Sequence, residues 1–160
     1  MSDTYSKTRW HHLLGTLLEF LLPPVGIQVQ IEPQVMSEPP QADIILLRRD
    51  TPFWTPEQQA RLADGIRDTA ANHVLIEFKY SESVDYDAIQ QTLSYEYAYR
   101  KSQQLKNAQI ACFLLSAKTP QATTLQKLDY HQTQQALCSL SGRSLSESRV
   151  TLLSSQLSAR

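Results

Sequence analysis

The chain has 160 residues, of which 41% are hydrophobic and 19% charged, and 15 Lys and Arg against 16 Asp and Glu give a formal net charge of −1. These values indicate a single globular domain, and they exclude a protein that binds nucleic acid through a globally basic surface. No apolar run reaches the roughly 18 residues of a membrane span, no secretory signal precedes the first helix, and two isolated cysteines, Cys112 and Cys138, favour a cytoplasmic location.

The N-terminal half is predicted to contain two helices and two strands. A helix over residues 6–22 carries leucines at helical spacing in one apolar stripe, namely Leu13, Leu14, Leu17, Leu18 and Leu21. The alternating residues 28–32 and the apolar residues 44–47 predict two strands, and the Pro-rich loop between them fits a hairpin. Thr55 opens a capping-box pattern, which predicts a helix from residue 56 to about residue 71.

The C-terminal half is predicted to begin with a strand, a long helix and a second strand. The strand covers residues 73–79, the helix is capped by Asp85 or Asp87 and runs to about residue 105, and the second strand covers residues 109–116. Strand, helix, strand in this order suggests a parallel crossover. A further helix is predicted over residues 121–130, with a possible extension to 140, and residues 150–153 form a last edge strand or a short helix.

Two of these apolar strands contain ionisable residues, which a buried strand should avoid. Side chains alternate along a strand, so Glu77 and Lys79 share one face near the end of the strand 73–79. Asp43 stands at the start of the strand 44–47. If the two strands are neighbours, two carboxylates and one cation meet in a small site, and that combination suits a divalent metal ion beside a phosphate group.

Asp43 followed by Glu77-x-Lys79 resembles the motif of the PD-(D/E)xK nuclease superfamily. Gln91 and Tyr95 in the next helix resemble the Q-x-x-x-Y motif of its RecB-like members. The resemblance covers about residues 8–118 and implies the α/β restriction-endonuclease-like fold, an α-β-β-β-α-β core with a central mixed sheet flanked by helices. An extra helix stands between the Asp strand and the Glu-x-Lys strand, and residues 119–160 add a C-terminal helix and tail to the single domain, residues 1–160.

The resemblance implies a metal-dependent nuclease that hydrolyses DNA. Asp43, Glu77 and the Phe78 carbonyl would hold Mg²⁺ or Mn²⁺, with Glu19 of the first helix as an accessory ligand. Lys79 would orient the attacking water or stabilise charge on the phosphate. Gln91 and Tyr95 would order the site and contact the nucleic acid.

The end of the long helix carries three further side chains with predicted roles. Arg100 and Lys101 are placed to meet phosphate in a local patch for DNA, and Tyr97 is predicted to be a packing residue.

Two other interpretations stay open from the sequence alone. The first is an inactive nuclease-fold binding or regulatory module, possibly a homodimer, in which Phe53 and Trp54 contact a partner, although core packing is the more common role of such aromatic residues. The second is a structural protein in which Glu77 and Lys79 form a plain surface ion pair and Asp43 and Glu77 face different directions.

Overall fold

The computed structural model describes residues 4–31, 44–79, 84–117, 120–127, 130–134, 137–140 and 150–154. Four α-helices and seven β-strands lie in these ranges. In chain order they are α1 (Thr4–Leu21), β1 (Ile27–Ile31), β2 (Ile44–Arg49), α2 (Pro56–Arg61), β3 (His73–Lys79), α3 (Tyr86–Ser102), β4 (Ile110–Ser116), α4 (Ala122–Lys127), β5 (Tyr130–Gln134), β6 (Leu137–Leu140) and β7 (Val150–Ser154). None of the helices in the described ranges is long and apolar enough to cross a membrane.

The strands form one sheet in the order β1-β2-β3-β4-β7-β6-β5. β1, β2 and β3 pair antiparallel, whereas β3 with β4 and β4 with β7 pair parallel. These five strands make a mixed central sheet, and β6 and β5 extend it by antiparallel pairing. The predicted α/β class with a mixed sheet flanked by helices is therefore confirmed, as are the β1–β2 hairpin and the parallel pairing across α3.

Alternation along the strands divides the core into two layers, one on each face of the sheet. Ile44 and Leu46 of β2 pack with α3 in one layer. Ile45 and Leu47 belong to the other layer, which includes Leu18 of α1. The central strands are buried on both faces, and for this reason they appear in the sequence as continuous apolar runs rather than as alternating ones.

Buried side chains hold the segment between β2 and β3 against the sheet. Arg49, which is 1% exposed, donates hydrogen bonds to the carbonyl oxygens of Thr51, Ala70 and Ala71. Its guanidinium carbon lies 4.6 Å from the centroid of the Trp54 ring. Trp54 is buried in the core, as is more common for such aromatic residues, whereas Phe53 is exposed. These contacts hold the inserted segment against β2 and β3.

The inserted helix is shorter than predicted. The Thr55 cap forms the expected capping box with Gln58, but α2 ends at Arg61 and not near residue 71. Leu62 is extended and enters the core, and Gly65 adopts a positive φ of 82°. The extended backbone of Leu62 ends the helical hydrogen bonding, and the left-handed Gly65 follows in a turn, so the apolar residues predicted as a helical stripe reach the core from non-helical backbone.

The C-terminal region also differs from the prediction. α4 ends at Lys127, and the strands β5 and β6 occupy residues predicted as a possible helix extension. β7 lies between β4 and β6 instead of at an edge. Pairing with β7 explains the change, because Leu137 and Cys138 of β6 lie opposite Leu153 and Leu152. Tertiary strand pairing here overrides a weak local preference for helix.

Candidate functional site

β3 ends with the acidic and basic residues that the sequence analysis selected. Leu75 of β3 packs in the α3 layer, and alternation carries Glu77 and Lys79 to the same face. Glu77 is 1% exposed, and Lys79 Nζ lies 3.0 Å from Glu77 Oε1. Burying an ionised carboxylate costs several kcal/mol without a close counter-ion, so this arrangement has a clear physical reason. The two residues form a buried ion pair and not a surface pair.

α3 adds two polar side chains to this pair. Lys79 Nζ donates a hydrogen bond of 3.1 Å to Gln91 Oε1, and Gln91 Nε2 donates one of 2.7 Å to the Tyr95 hydroxyl oxygen. Gln91 and Tyr95 stand four residues apart, so they share one helix face. We call Glu77, Lys79, Gln91 and Tyr95 the polar chain. It joins the two separate sequence motifs through direct contacts.

α3 is fixed over the sheet by its cap and its packing. The Asp85 side chain accepts a hydrogen bond of 2.9 Å from the Ala88 backbone N–H, which satisfies one of the free N–H groups at the start of the helix. Ala88, Ile89 and Tyr95 are buried against the sheet. The sheet-facing side of α3 is thus held by packing, and Gln91 is positioned over Lys79.

The polar chain lies at the carboxyl ends of two parallel strands. In the β3–β4 pairing Lys79 is next to Ser116, and the Lys79 carbonyl oxygen accepts a hydrogen bond of 3.0 Å from the Ala117 N–H. These contacts hold the two strand ends together. Ligands of open α/β sheets bind outside the carboxyl ends of the strands, so the position suits a ligand site.

The other predicted metal ligands have different positions. Asp43 lies outside the described residues, and Ile44, which follows it in sequence, is directly opposite Glu77. Phe78 is half-buried, with its side chain on the face away from α3. Glu19 is exposed on α1, whose apolar residues pack in the opposite layer from α3. Within the described ranges, no group of three His, Cys, Asp or Glu side chains is placed to hold a metal ion.

Sequence analysis missed a second buried carboxylate, which belongs to α3 itself. Glu96 is 3% exposed and accepts a hydrogen bond of 2.8 Å from Arg100 Nε, so Arg100 is held by Glu96. Burial raises the pKa of the Cys112 thiol well above its ordinary value, and the charges of Glu96 and Glu77 raise it further. Glu96 stands four residues after the buried Thr92, and that helical spacing was the available signal.

The tyrosines of α3 have three different environments. Tyr95 belongs to the polar chain, and Tyr99 is buried beside His73, with 2.9 Å between His73 Nδ1 and the Tyr99 hydroxyl oxygen. Tyr97 is exposed, so its predicted packing role is wrong. It lies between the two buried positions on the outer face of the helix, where Arg100 and Lys101 approach its ring. Lys101 and Tyr97 therefore face solvent at the end of α3, whereas the Arg100 side chain is 14% exposed and paired with Glu96.

A further polar group surrounds His73 at the start of β3. Burial lowers the pKa of His73, the positive charge of Arg48 lowers it further, and the Asp50 carboxylate opposes this effect. Arg48 is directly opposite His73 in the sheet. The imidazole is therefore neutral at neutral pH. His73 lies at the start of β3, whereas Glu77 lies near its end.

The polar chain can position a cation and a carboxylate beside a ligand at the strand ends. A buried carboxylate oxygen can bind a divalent cation, and the Lys79 ammonium group can bind an anion such as phosphate. Comparison of the chain with protein-family models, with curated proteins and with solved structures found no match. A functional assignment therefore rests on these side chains.

Proposed function

We propose that the protein is a metal-dependent nuclease of the PD-(D/E)xK superfamily that hydrolyses DNA phosphodiester bonds. The observation that carries the proposal is the polar chain. Lys79 contacts both Glu77 of the strand motif and Gln91 of the helix motif, and Gln91 contacts Tyr95. Two motifs that are separate in sequence are expected to form one site in a nuclease of this type, and their direct contact supports that expectation.

The order of elements also supports the proposal. α1, β1, β2, β3, α3 and β4 follow the α-β-β-β-α-β order of the restriction-endonuclease-like fold, with α2 inserted between β2 and β3. The inserted segment is anchored by Arg49, and its buried residues Trp54, Leu62 and Ile66 belong to the core layer opposite α3. The insertion therefore does not occupy the face of the sheet on which α3 and the polar chain lie.

The donor set at this strand end fits a hard divalent cation. Mg²⁺ in proteins is commonly bound by one or two carboxylates, and water or substrate phosphate completes its shell. Glu77 would supply one carboxylate, Asp43 the second and Phe78 its carbonyl oxygen, with Glu19 as an accessory ligand. Ile44 lies opposite Glu77 and shares its face of the sheet, so a regular strand would place residue 43 on the other face. A site that contains both Asp43 and Glu77 therefore requires a bulge or a break before Ile44.

Each residue of the polar chain has a defined role in the proposed reaction. A bound Mg²⁺ or Mn²⁺ would supply an activated water and a polarised phosphate. Lys79 would hold a phosphate oxygen and stabilise the negative charge that develops during hydrolysis. Gln91 and Tyr95 act as positioning residues, because Gln91 fixes the Lys79 ammonium group and Tyr95 fixes Gln91.

A catalytically inactive binding or regulatory module is the second candidate. It is favoured by the ligand count, because Glu77 is the one predicted carboxylate ligand that the described residues carry at this strand end. Arg100 and Lys101 beside the exposed Tyr97 would then bind DNA without cleavage. Cleavage and binding assays on the same DNA separate the two candidates.

The test is cleavage of labelled DNA by the purified protein. Substrates are single-stranded, double-stranded and nicked DNA, each with Mg²⁺, with Mn²⁺ and with a chelator. We expect metal-dependent cleavage by the wild type, and a rate lower by about 100-fold or more in Glu77→Gln and in Lys79→Met, the size expected when a group that stabilises the transition state is removed. Glu57→Gln, at an exposed position in α2, is the matched control and should retain the rate.

Two results would overturn the nuclease assignment. One is DNA binding without cleavage under every metal condition, which would support the inactive module. The other is cleavage that Glu77→Gln and Lys79→Met leave unchanged, which would trace the activity to a different site or to a contaminating enzyme.

A further inference from the structure

His73 lies in a row of polar side chains that crosses β1, β2 and β3 on the α3 side of the sheet. Gln28 of β1 is directly opposite Arg48 of β2, and Arg48 is directly opposite His73. Arg48 NH2 donates a hydrogen bond to Gln28 Oε1, and Gln28 Nε2 donates one of 3.4 Å to Asp50 Oδ2. One positive and one negative charge therefore stand near an imidazole that is 8% exposed.

Tyr99 connects this row to the end of α3. Its side chain is buried, and its hydroxyl oxygen lies 2.9 Å from His73 Nδ1. Its backbone carbonyl oxygen accepts hydrogen bonds of 2.8 Å from the Ser102 hydroxyl group and of 3.0 Å from the Gln103 N–H. The last turn of α3 is therefore bonded to the same residue whose side chain contacts β3.

The contact between Tyr99 and His73 has one favoured direction when the imidazole is neutral. Burial raises the pKa of the Tyr99 hydroxyl, whereas the charge of Arg48 and a hydrogen bond from Arg48 lower it. A guanidinium group can only donate, so the Tyr99 oxygen accepts from Arg48 and its proton is directed at His73 Nδ1. His73 Nδ1 is then the acceptor, and the imidazole carries its proton on Nε2.

Protonation of His73 removes this arrangement. Nδ1 becomes a donor, so the Tyr99 proton loses its acceptor and the Tyr99 oxygen meets two cationic donors. The charges of His73 and Arg48 would then repel each other from directly opposite residues, and the Asp50 carboxylate offsets this repulsion only in part. The protonated imidazole therefore disfavours the contact that holds Tyr99.

The remaining elements that pack on His73 bring no compensating charge within the part of the chain that the structure describes. Its neighbour in the parallel pairing with β4 is Ile110, which is apolar. On α3, Glu96 precedes Tyr99 by three residues, and its carboxylate is paired with Arg100.

We propose that the contact between His73 and Tyr99 is an acid-sensitive latch, which holds the end of α3 on the sheet while the imidazole is neutral and releases it when the imidazole is protonated. The exposed Tyr97 and Lys101 lie at this end of α3, so the latch controls the position of these two side chains. The inference is independent of the nuclease assignment, because the polar chain lies at the other end of β3 and the argument uses neither metal nor DNA.

The test is amide hydrogen exchange of the full chain, measured residue by residue by NMR from neutral to mildly acidic pH and corrected for the intrinsic pH dependence of exchange. Below about pH 6.5, the imidazole pKa in an opened chain, protection of the Gln103 amide should fall by up to about tenfold for each pH unit until the folded pKa is reached. The amides of β4 should keep their protection over the same range, because the opening is confined to the end of α3.

Two variants isolate the imidazole. His73→Asn keeps an acceptor near the position of Nδ1 but does not titrate, so the acid-dependent loss at Gln103 should disappear. His12→Asn removes an exposed imidazole from α1 and should respond as the wild type does. Circular dichroism confirms that both variants are folded.

The nitrogen chemical shifts of His73 provide a measurement that needs no variant, and they should show the proton on Nε2 at neutral pH. A proton on Nδ1 would overturn the proposal. So would protection at Gln103 that does not change with pH, a loss of the same size in His73→Asn, or a loss that extends equally through β4.

Discussion

Replacing Lys79 with Met should destabilise the protein substantially, because it removes the ammonium group that lies 3.0 Å from the buried Glu77 carboxylate. Removing one partner of a buried ion pair costs about 3–5 kcal/mol. The Lys79 side chain is 14% exposed, so water reaches part of the pair. We therefore expect a loss of about 2–4 kcal/mol in the free energy of unfolding, a large part of the stability of a domain of this size. Met keeps the unbranched side chain, which limits changes in packing.

The assay is urea unfolding at neutral pH, followed by circular dichroism, for a double-mutant cycle with Glu77→Gln. In the Glu77→Gln background no carboxylate charge is present, so the same Lys79→Met change should cost less than about 1 kcal/mol. Equal losses in both backgrounds would refute the reasoning, because they would show that Lys79 stabilises the protein through packing and not through the charge of Glu77.

The remaining predictions concern the core, the first helix and acid stability. Arg49→Met should lower the free energy of unfolding by about 3–5 kcal/mol and shift the Trp54 fluorescence, because three carbonyl oxygens and the ring lose the guanidinium group; an unchanged urea midpoint would contradict this. Gly15→Ala should cost about 1 kcal/mol despite the better helix propensity of Ala, and the cost should be smaller in an Ile31→Ala background, because Ala lacks the Cδ1 and Cγ1 atoms that lie 2.5 and 2.7 Å from the added Cβ. The pKa of His73 is lowered in the folded state, so its contribution to stability is complete above the unfolded imidazole pKa of about 6.5 and is lost as the pH falls through the folded pKa. In that acid range the free energy of unfolding of His73→Gln should change less with pH than that of the wild type, and identical pH dependence of wild type and variant would count against the lowered pKa.

The arrangement at the candidate site was largely predictable from local rules. Alternation along a strand places Glu77 and Lys79 on one face, and the helical repeat places Gln91 and Tyr95 on one face. The order strand, helix, strand then brings the two faces together, because the helix of such a crossover packs on the sheet. The order of elements does not fix which helix turn lies over Lys79, so its contact with Gln91 follows from the packing of α3 on the sheet.

Other features depend on contacts that no local pattern encodes. The apolar residues after Arg61 fit a helix by spacing, yet Gly65 turns the chain, and Leu62 reaches the core from an extended backbone. The strand β6 forms by pairing with the edge of β7, and β5 forms by pairing with β6. Helical spacing places Glu96 on the same face as Thr92, but its burial follows from the packing of α3 on the sheet, where Arg100 neutralises it. In each case tertiary packing decided between local alternatives.

Calorimetric titration of the protein with Mg²⁺ and Mn²⁺ tests the central claim most directly. The account predicts saturable binding by the wild type and by the Glu57→Gln control, and its loss in Glu77→Gln and in Asp43→Asn. Circular dichroism of each variant shows that the loss is not unfolding. Binding that persists in both carboxylate variants, or a folded wild type that binds neither metal, would contradict a metal-dependent nuclease at the end of β3.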